Sequence, residues 1–376
     1  MAQGVETEEL MHTDAPQKKR KWWKIPLVVF LLVLVLAGAY VVYYVSHTYR
    51  IEDHLALEVK GSATEEAAVG REYTIVTYNV GFGAYTKDFT FFVDGGTESR
   101  AYSEESAIQC IEETAKTALS FEPDFALFQE VDTDATRSHH VNQVAQIEGI
   151  FAEAGNFDSV YAQNFHTGYL IYPFSEPHGA TDSGIVTLSS VNIESSLRRS
   201  LPISSGPKKL LDCDRCYSVS RIPADNGKEL VLINVHNSAY GNDASRGNAQ
   251  MEMIFEDMRA EYEKGNYVVC GGDFNHDFTG TSRDILNHGS DETYTWCLPF
   301  PAELIPEGFS RCTDYAEGLT PTSRNADLPY EEGNFVVVLD GYIISDNVTC
   351  NYVQNIETGY LYTDHNPAVM RFTLEP

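Results

Sequence analysis

Eight polar side chains stand where apolar runs of this chain end or begin: Asn79, Glu130, His236, Asp273, Asn275, Asp340, Asp364 and His365. Asn79 follows Tyr73-Thr74-Ile75-Val76-Thr77-Tyr78, and Gln129-Glu130 follows Phe125-Ala126-Leu127-Phe128. His236 closes Leu230-Val231-Leu232-Ile233-Asn234-Val235, and Gly271-Gly272-Asp273-Phe274-Asn275 closes Tyr267-Val268-Val269-Cys270. Asp340 follows Phe335-Val336-Val337-Val338-Leu339, and Thr363-Asp364-His365-Asn366-Pro367 precedes a last apolar run. Runs rich in β-branched and aromatic residues read as buried strands. Strand ends that carry carboxylate, amide and imidazole can converge on one divalent cation and one phosphate.

Oxygen ligands with no clustered thiolate or histidine suit a hard cation, Mg²⁺ before Mn²⁺ or Ca²⁺. Glu130 is the best single ligand, with Asn79 beside it. Asp273 and Asn275 lie two apart, so they share a side of an extended chain while Phe274 points away. A carboxylate there can orient or deprotonate water, and an amide can hydrogen-bond a phosphoryl oxygen as charge builds. His365 needs a carboxylate to fix its tautomer and stabilise its charged form, and Asp340 can supply it. His236 is a second imidazole at a strand end. Taken singly, each has an ordinary reading: a solvated Glu, a Gly-Asp-Asn turn, a structural histidine.

Together, in the order TYNV, QEV, INVH, GGDFN, LDGYIIS and TDHNP, these strings resemble the endonuclease/exonuclease/phosphatase superfamily. Its branches include deoxyribonuclease I-like enzymes, abasic-site endonucleases, inositol polyphosphate 5-phosphatases and neutral sphingomyelinases. The resemblance runs from about residue 73 to residue 372. It implies Asn79 and Glu130 on the metal side, with Asp364 as a further metal or water ligand. It implies that Asp273 activates or orients water, that Asn275 stabilises the transition state, and that His236 holds the phosphate or protonates the leaving oxygen. His365, oriented by Asp340, is then the acid/base or phosphate-binding imidazole. The implied reaction is in-line attack of water on a phosphate ester. Gly81 departs from members that carry an acidic residue there, leaving Glu130 as the main metal ligand on that side. Asn237 stands where many members are apolar.

The elements that must position these groups are legible. Helical spacing marks 106–119, 141–154 and 247–264, closed near Pro123, Gly155 and Gly265. Further strands are expected at 183–188, 217–221, 230–235, 336–339 and 368–372. Strands outnumber helices and only some alternate with them, which favours two packed sheets with helices outside over a doubly wound sheet. The expected fold is α+β: a four-layer α/β/β/α sandwich of two mostly antiparallel sheets. The segment 86–106 reads as a loop over the cleft or a plain surface hairpin.

Ahead of this domain, 25–45 is apolar and uncharged, and about 20 such residues span about 30 Å of hydrocarbon as a helix. Lys18, Lys19, Arg20, Lys21 and Lys24 precede it, and Glu52 and Asp53 follow. That asymmetry predicts a single-pass cell-membrane anchor, with residues 1–24 a cytoplasmic tail and the catalytic domain extracytoplasmic. A cleaved signal peptide ending near Ala37-Gly38-Ala39 is the alternative. Residues 46–70 read as a stalk and 71–376 as one catalytic domain, expected to work as a monomer.

Residues 50–376 carry 21 basic and 51 acidic groups, a formal −30. Tight non-specific binding of nucleic acid, which rests on neutralising phosphates, is therefore not expected. Arg137, Arg198, Arg199, Lys208, Lys209 and Arg246 are the basic residues expected near the cleft. Seven cysteines make an odd number, so at least one stands outside any internal disulfide. Cys213-Asp214-Arg215-Cys216 reads as structural, because a zinc site would need a second pair. Asn347-Val348-Thr349 is a sequon, meaningful only in a glycosylating host. Three substrate classes stay open: a phospholipid, extracellular nucleic acid, or a small phosphorylated metabolite such as an inositol phosphate. With one tryptophan in this part, no paired-aromatic loop for bilayer insertion stands out. A binding module without activity is the competing reading, and it would be marked by loss of Glu130, Asp273 or His365.

Overall fold

The computed structural model describes residues 22–203, 214–239, 244–287, 294 and 296–376. It divides into an N-terminal unit ending at Tyr43 and a unit from Tyr44 to Pro376. The first is dominated by helix α1, Lys24–His47, which is long and apolar enough to cross a membrane.

In the second unit, two seven-stranded sheets pack face to face among the described residues. The first runs, edge to edge, through β1 (Leu55–Leu57), β7 (Ser195–Ser200), β8 (Cys216–Pro223), β9 (Glu229–His236), β10 (Tyr267–Asp273), β14 (Asp340–Ser345) and β11 (Phe309–Arg311). The second runs through β15 (Val348–Asn355), β16 (Ala368–Leu374), β3 (Glu72–Asn79), β4 (Phe125–Ala135), β6 (Gly179–Ser189), β5 (Asp158–Leu170) and β2 (Val59–Lys60). Among the described strands of these sheets, β9–β10 and β3–β4 are the parallel pairs. A separate ladder joins β12 (Ser323–Arg324) to β13 (Val336–Val337).

Period-two alternation explains the layers. Leu230, Leu232, Tyr73, Ile75, Phe125 and Leu127 face the core between the sheets. Their neighbours Val231, Ile233 and Val268 face Met251, Ile254, Phe255 and Met258 of α4 (Ala244–Tyr262). Val76, Tyr78, Ala126 and Phe128 face Ile111 and Ala115 of α2 (Glu104–Leu119), and Ile147 and Phe151 of α3 (Gln143–Ala154). The expected four-layer sandwich is the observed one. Ser103 caps α2 by accepting from the Ser106 amide, a cap worth about 1 kcal/mol. A short helix, α5 (Ser282–Leu286), follows β10.

Two expectations about elements differ from the structure. The run 336–339 is not an inner strand: Val336 and Val337 pair with β12, and Asp340 opens the next strand, β14. Residues 46–70, read as a stalk, contribute β1 and β2 to one edge of each sheet. Buried Asp214 fastens this segment by accepting from the Ile51 amide at 2.6 Å and from the Arg50 side chain. Low hydrophobic periodicity concealed strands this short.

Candidate active site

All eight side chains lie at one end of the two sheets. β9 and β10 run in parallel with His236 beside Asp273, and β10 and β14 run antiparallel with Asp273 opposite Asp340. Asn79 ends β3 opposite Gln129 of β4. Gln129 crosses between the sheets to donate to Asn234 Oδ1 of β9 at 2.8 Å, locking the two halves together.

Asp273 is 1 % exposed and is the hub. Its Oδ2 accepts from Asn79 Nδ2 at 3.0 Å and lies 3.7 Å from His236 Nε2 and 3.9 Å from His365 Nε2. Its Oδ1 accepts from the Asn275 amide at 2.9 Å. Burial first, and then the charge of Asp340, pushes this carboxyl up to about 6, with His365 opposing. Asn275, in the left-handed region at φ 51°, donates its side-chain amide to Asn237 O at 2.8 Å. Asn237 thus serves through its backbone, and its side-chain identity is of little consequence to this contact.

His365 Nδ1 bonds Asp340 Oδ2 at 2.8 Å. Burial opposes its protonation, but the charge and hydrogen bond of Asp340, with Asp364 and Asp273, outweigh burial and push it up to about 10. His236 is the opposite case. Burial, then the positive charges of Arg215, His365 and Arg137, holds it well below the ordinary histidine value. Arg215 Nη1 lies against His236 Nε2, and the Asn164 amide stands 3.5 Å from Nδ1.

Glu130 sits at a β-bulge between Phe128 and Val131, with φ 58°. A left-handed non-glycine residue costs about 1–3 kcal/mol. The bulge takes Glu130 out of strict alternation and lets its Oε1 accept from Asn79 Nδ2 at 3.3 Å and face His236 Nε2 at 3.7 Å. Asn79 Oδ1 accepts from Gly81 N at 3.0 Å. Gly81 itself has φ +50°, and a Cβ there would meet Tyr85 Cδ2 at 2.6 Å and Asp364 Oδ1 at 2.9 Å. An acidic side chain at this position has no room. Burial, and also Glu130, raise Asp364.

This acidic end fits a cation. Asp340 Oδ1 is buried with no hydrogen-bond partner, and two neighbouring carboxyls are raised, by burial first and then by the negative charge of Asp340 beside Asp273 and of Glu130 beside Asp364. Ligand atoms of Asp273, Asp340 and His365 lie within 4.8 Å of one another. His365 Nδ1 and Asp340 Oδ2 are engaged with each other, so these three cannot all ligate through those atoms. Glu130 and Asp364 line the cleft beside them, Glu130 with its Oε1 3.7 Å from His236 Nε2.

The cleft is lined by Glu130, Asp273, Asn275, Asp364 and His365, together with Tyr85, Asp94, Arg215, Trp296 and Arg324. Its basic groups are therefore Arg215 and Arg324, which the sequence did not single out. Arg137 is instead buried in a bidentate pair with Asp132, Arg198 is fully buried and holds Glu52 O, and Arg199 pairs with Asp257. Arg246 is not among the lining residues, and Lys208 and Lys209 lie outside the described residues. Cys213 also lies outside them, while Cys216 is a buried free thiol. The segment 86–106 is a packed wall: Phe89 and Phe91 join Phe82 and Tyr85 in an aromatic cluster, and Asp94 reaches the cleft.

Residues 76–365 match the model of the endonuclease/exonuclease/phosphatase family. The chain belongs to that family. No curated protein matches its sequence. Among solved structures it resembles an endonuclease/exonuclease/phosphatase from Beutenbergia cavernae at 14 % identity and TM-score 0.53, covering 81 % of this chain and 72 % of that one. It also resembles ANGEL2, described as a 2′,3′-cyclic phosphatase, at 13 % identity and TM-score 0.53, over 86 % of this chain and 99 % of that one. TDP2 from D. rerio, solved with a single-stranded DNA product, matches at 12 % identity and TM-score 0.50, over 81 % and 99 % of the two chains. At these identities the likeness is one of fold.

Proposed function

We propose that this protein is a membrane-anchored, divalent-metal-dependent phosphoesterase that hydrolyses a phosphate ester or diester by in-line attack of water. The observation that carries the reading is the convergence of Asp273 with two imidazoles of opposite character at one end of both sheets. Asp273, held by the Asn275 amide and Asn79, orients the attacking water. His365, kept protonated by Asp340, places a positive charge on the phosphoryl oxygens. His236, neutral beside Arg215, accepts or returns a proton at Nε2, while the guanidinium holds the phosphate. Asn275 donates to the transition state from the second hydrogen of its side-chain amide, the first being held by Asn237 O.

Glu130 and Asp364 would hold Mg²⁺, with Asn79 steering Glu130. When bound, the cation supplies neutralisation of charge on a phosphoryl oxygen. Helix α1 is taken as the anchor, with the domain extracytoplasmic because the basic residues precede the helix. The acidic surface disfavours a long duplex as substrate. The test is hydrolysis by the full chain, with Mg²⁺ and with chelator, of bis-p-nitrophenyl phosphate, plasmid DNA, RNA, sphingomyelin vesicles and inositol phosphates. Chelator-sensitive turnover of at least one is expected. Inactivity on all of them, with no heat on Mg²⁺ titration, would return the chain to a binding module.

A further inference from the structure

The β5–β6 hairpin ends in an uncharged stretch, Tyr169-Leu170-Ile171-Tyr172-Pro173-Phe174. Phe174 is 80 % exposed and Tyr172 55 %, with Ile171 at 39 % and Val93 of the neighbouring loop at 48 %. The tip is a built feature. Tyr172 packs against Phe174 and Phe92, with ring centroids 6.0 and 5.9 Å apart. Behind it, Ser99 N donates to Glu176 at 3.1 Å, and His178 Nδ1 meets Ser99 O at 2.9 Å. Rigid aromatic side chains held out into water on a domain with a formal charge of −30 call for an apolar partner that carries no strong charge.

Chain continuity says which partner. Helix α1 ends at His47, and Thr48 Oγ1 accepts from the Gly168 amide at 3.1 Å, while Tyr49 packs on His166 with centroids 4.1 Å apart. Gly168 directly precedes Tyr169, so the first residues after the apolar helix are fastened to the strand that carries the tip. We propose that Tyr169, Ile171, Tyr172, Phe174 and Val93 form a docking surface that seats in the interfacial layer of a zwitterionic bilayer, the one α1 spans. Tyr and Phe suit that layer, having an apolar body and, in Tyr, a polar end. The inference rests on the reading of α1 as an anchor. Its consequence is positional: Val93 adjoins Asp94, which lines the cleft, so docking sets the cleft mouth beside the lipid headgroups. The sequence concealed this surface because Tyr172 and Phe174 are split by a proline within an ordinary-looking turn.

The test uses the full chain with Trp22, Trp23 and Trp296 changed to Phe and with Phe174→Trp as the sole reporter, reconstituted in phosphatidylcholine liposomes with brominated acyl chains. The expected result is co-flotation with liposomes and loss of about half or more of the fluorescence relative to unbrominated lipid, with blue-shifted emission. Weaker quenching is expected when phosphatidylserine replaces much of the phosphatidylcholine. A chain that floats but is neither quenched nor blue-shifted overturns the docking surface and leaves the anchor standing. A chain that fails to float overturns the anchor, and the docking proposal with it.

Discussion

His236 and His365 both stand at strand ends, both are nearly sealed from solvent, and both present Nε2 to the same oxygen of Asp273, at 3.7 and 3.9 Å. Their second contacts differ. His365 leans on a buried carboxylate, which keeps it protonated, whereas His236 meets a guanidinium, which together with burial keeps it neutral. The same residue type therefore stands charged on one flank of Asp273 and neutral on the other. Environment, more than identity, assigns the chemical role.

The comparison breaks most sharply at His365. His365→Ala is expected to lower kcat on the best substrate by about 10²–10⁴-fold, read in steady-state kinetics. His236→Ala should cost less, about 10²-fold, and Arg215→Met should raise KM more than it lowers kcat. Equal losses at both histidines would erase the asymmetry.

Stability against pH sharpens the same contrast. His365 is raised from 6.5 to about 10, so its contribution is whole below pH 6.5 and is lost as pH rises through about 10. His236 is depressed below 6.5, so its contribution is present above 6.5 and is lost as pH falls through its folded value. Chemical denaturation across pH should therefore show Asp340→Asn losing the alkaline slope, and His236→Gln losing part of the acid slope. The smallest effect is at the edge of the site. Gly81→Ala should destabilise by about 1–2 kcal/mol, because an alanine must hold a left-handed backbone against Tyr85 and Asp364.

Much of this site was legible because strands that are buried on both faces are near-continuous apolar runs. Asn79, the Gln129-Glu130 pair, His236 and Asp273 are conspicuous as the polar groups that close them. Asp340 was legible as the partner of His365, although its strand was misplaced, because the apolar run 335–339 ends in a separate two-stranded ladder. Arg215 and Arg324 were not legible. Nothing in local pattern separates them from Arg137 or Arg198, whose partners Asp132 and Glu52 only the tertiary fold supplies. The edge strands β1 and β2 are too short to carry a period, and β5, the longest strand, mixes polar and apolar residues on both faces. The need for glycine at Gly81 became visible only once Tyr85 and Asp364 were in place around it.

Asp273→Asn tests the central claim most directly, because it keeps the shape of the hub and removes its charge. Mg²⁺-dependent hydrolysis of bis-p-nitrophenyl phosphate should fall by about 10³-fold. The melting temperature should hold or rise, since burial and Asp340 already oppose the charged form of Asp273. A variant that is folded and hydrolyses at the wild-type rate would contradict the account.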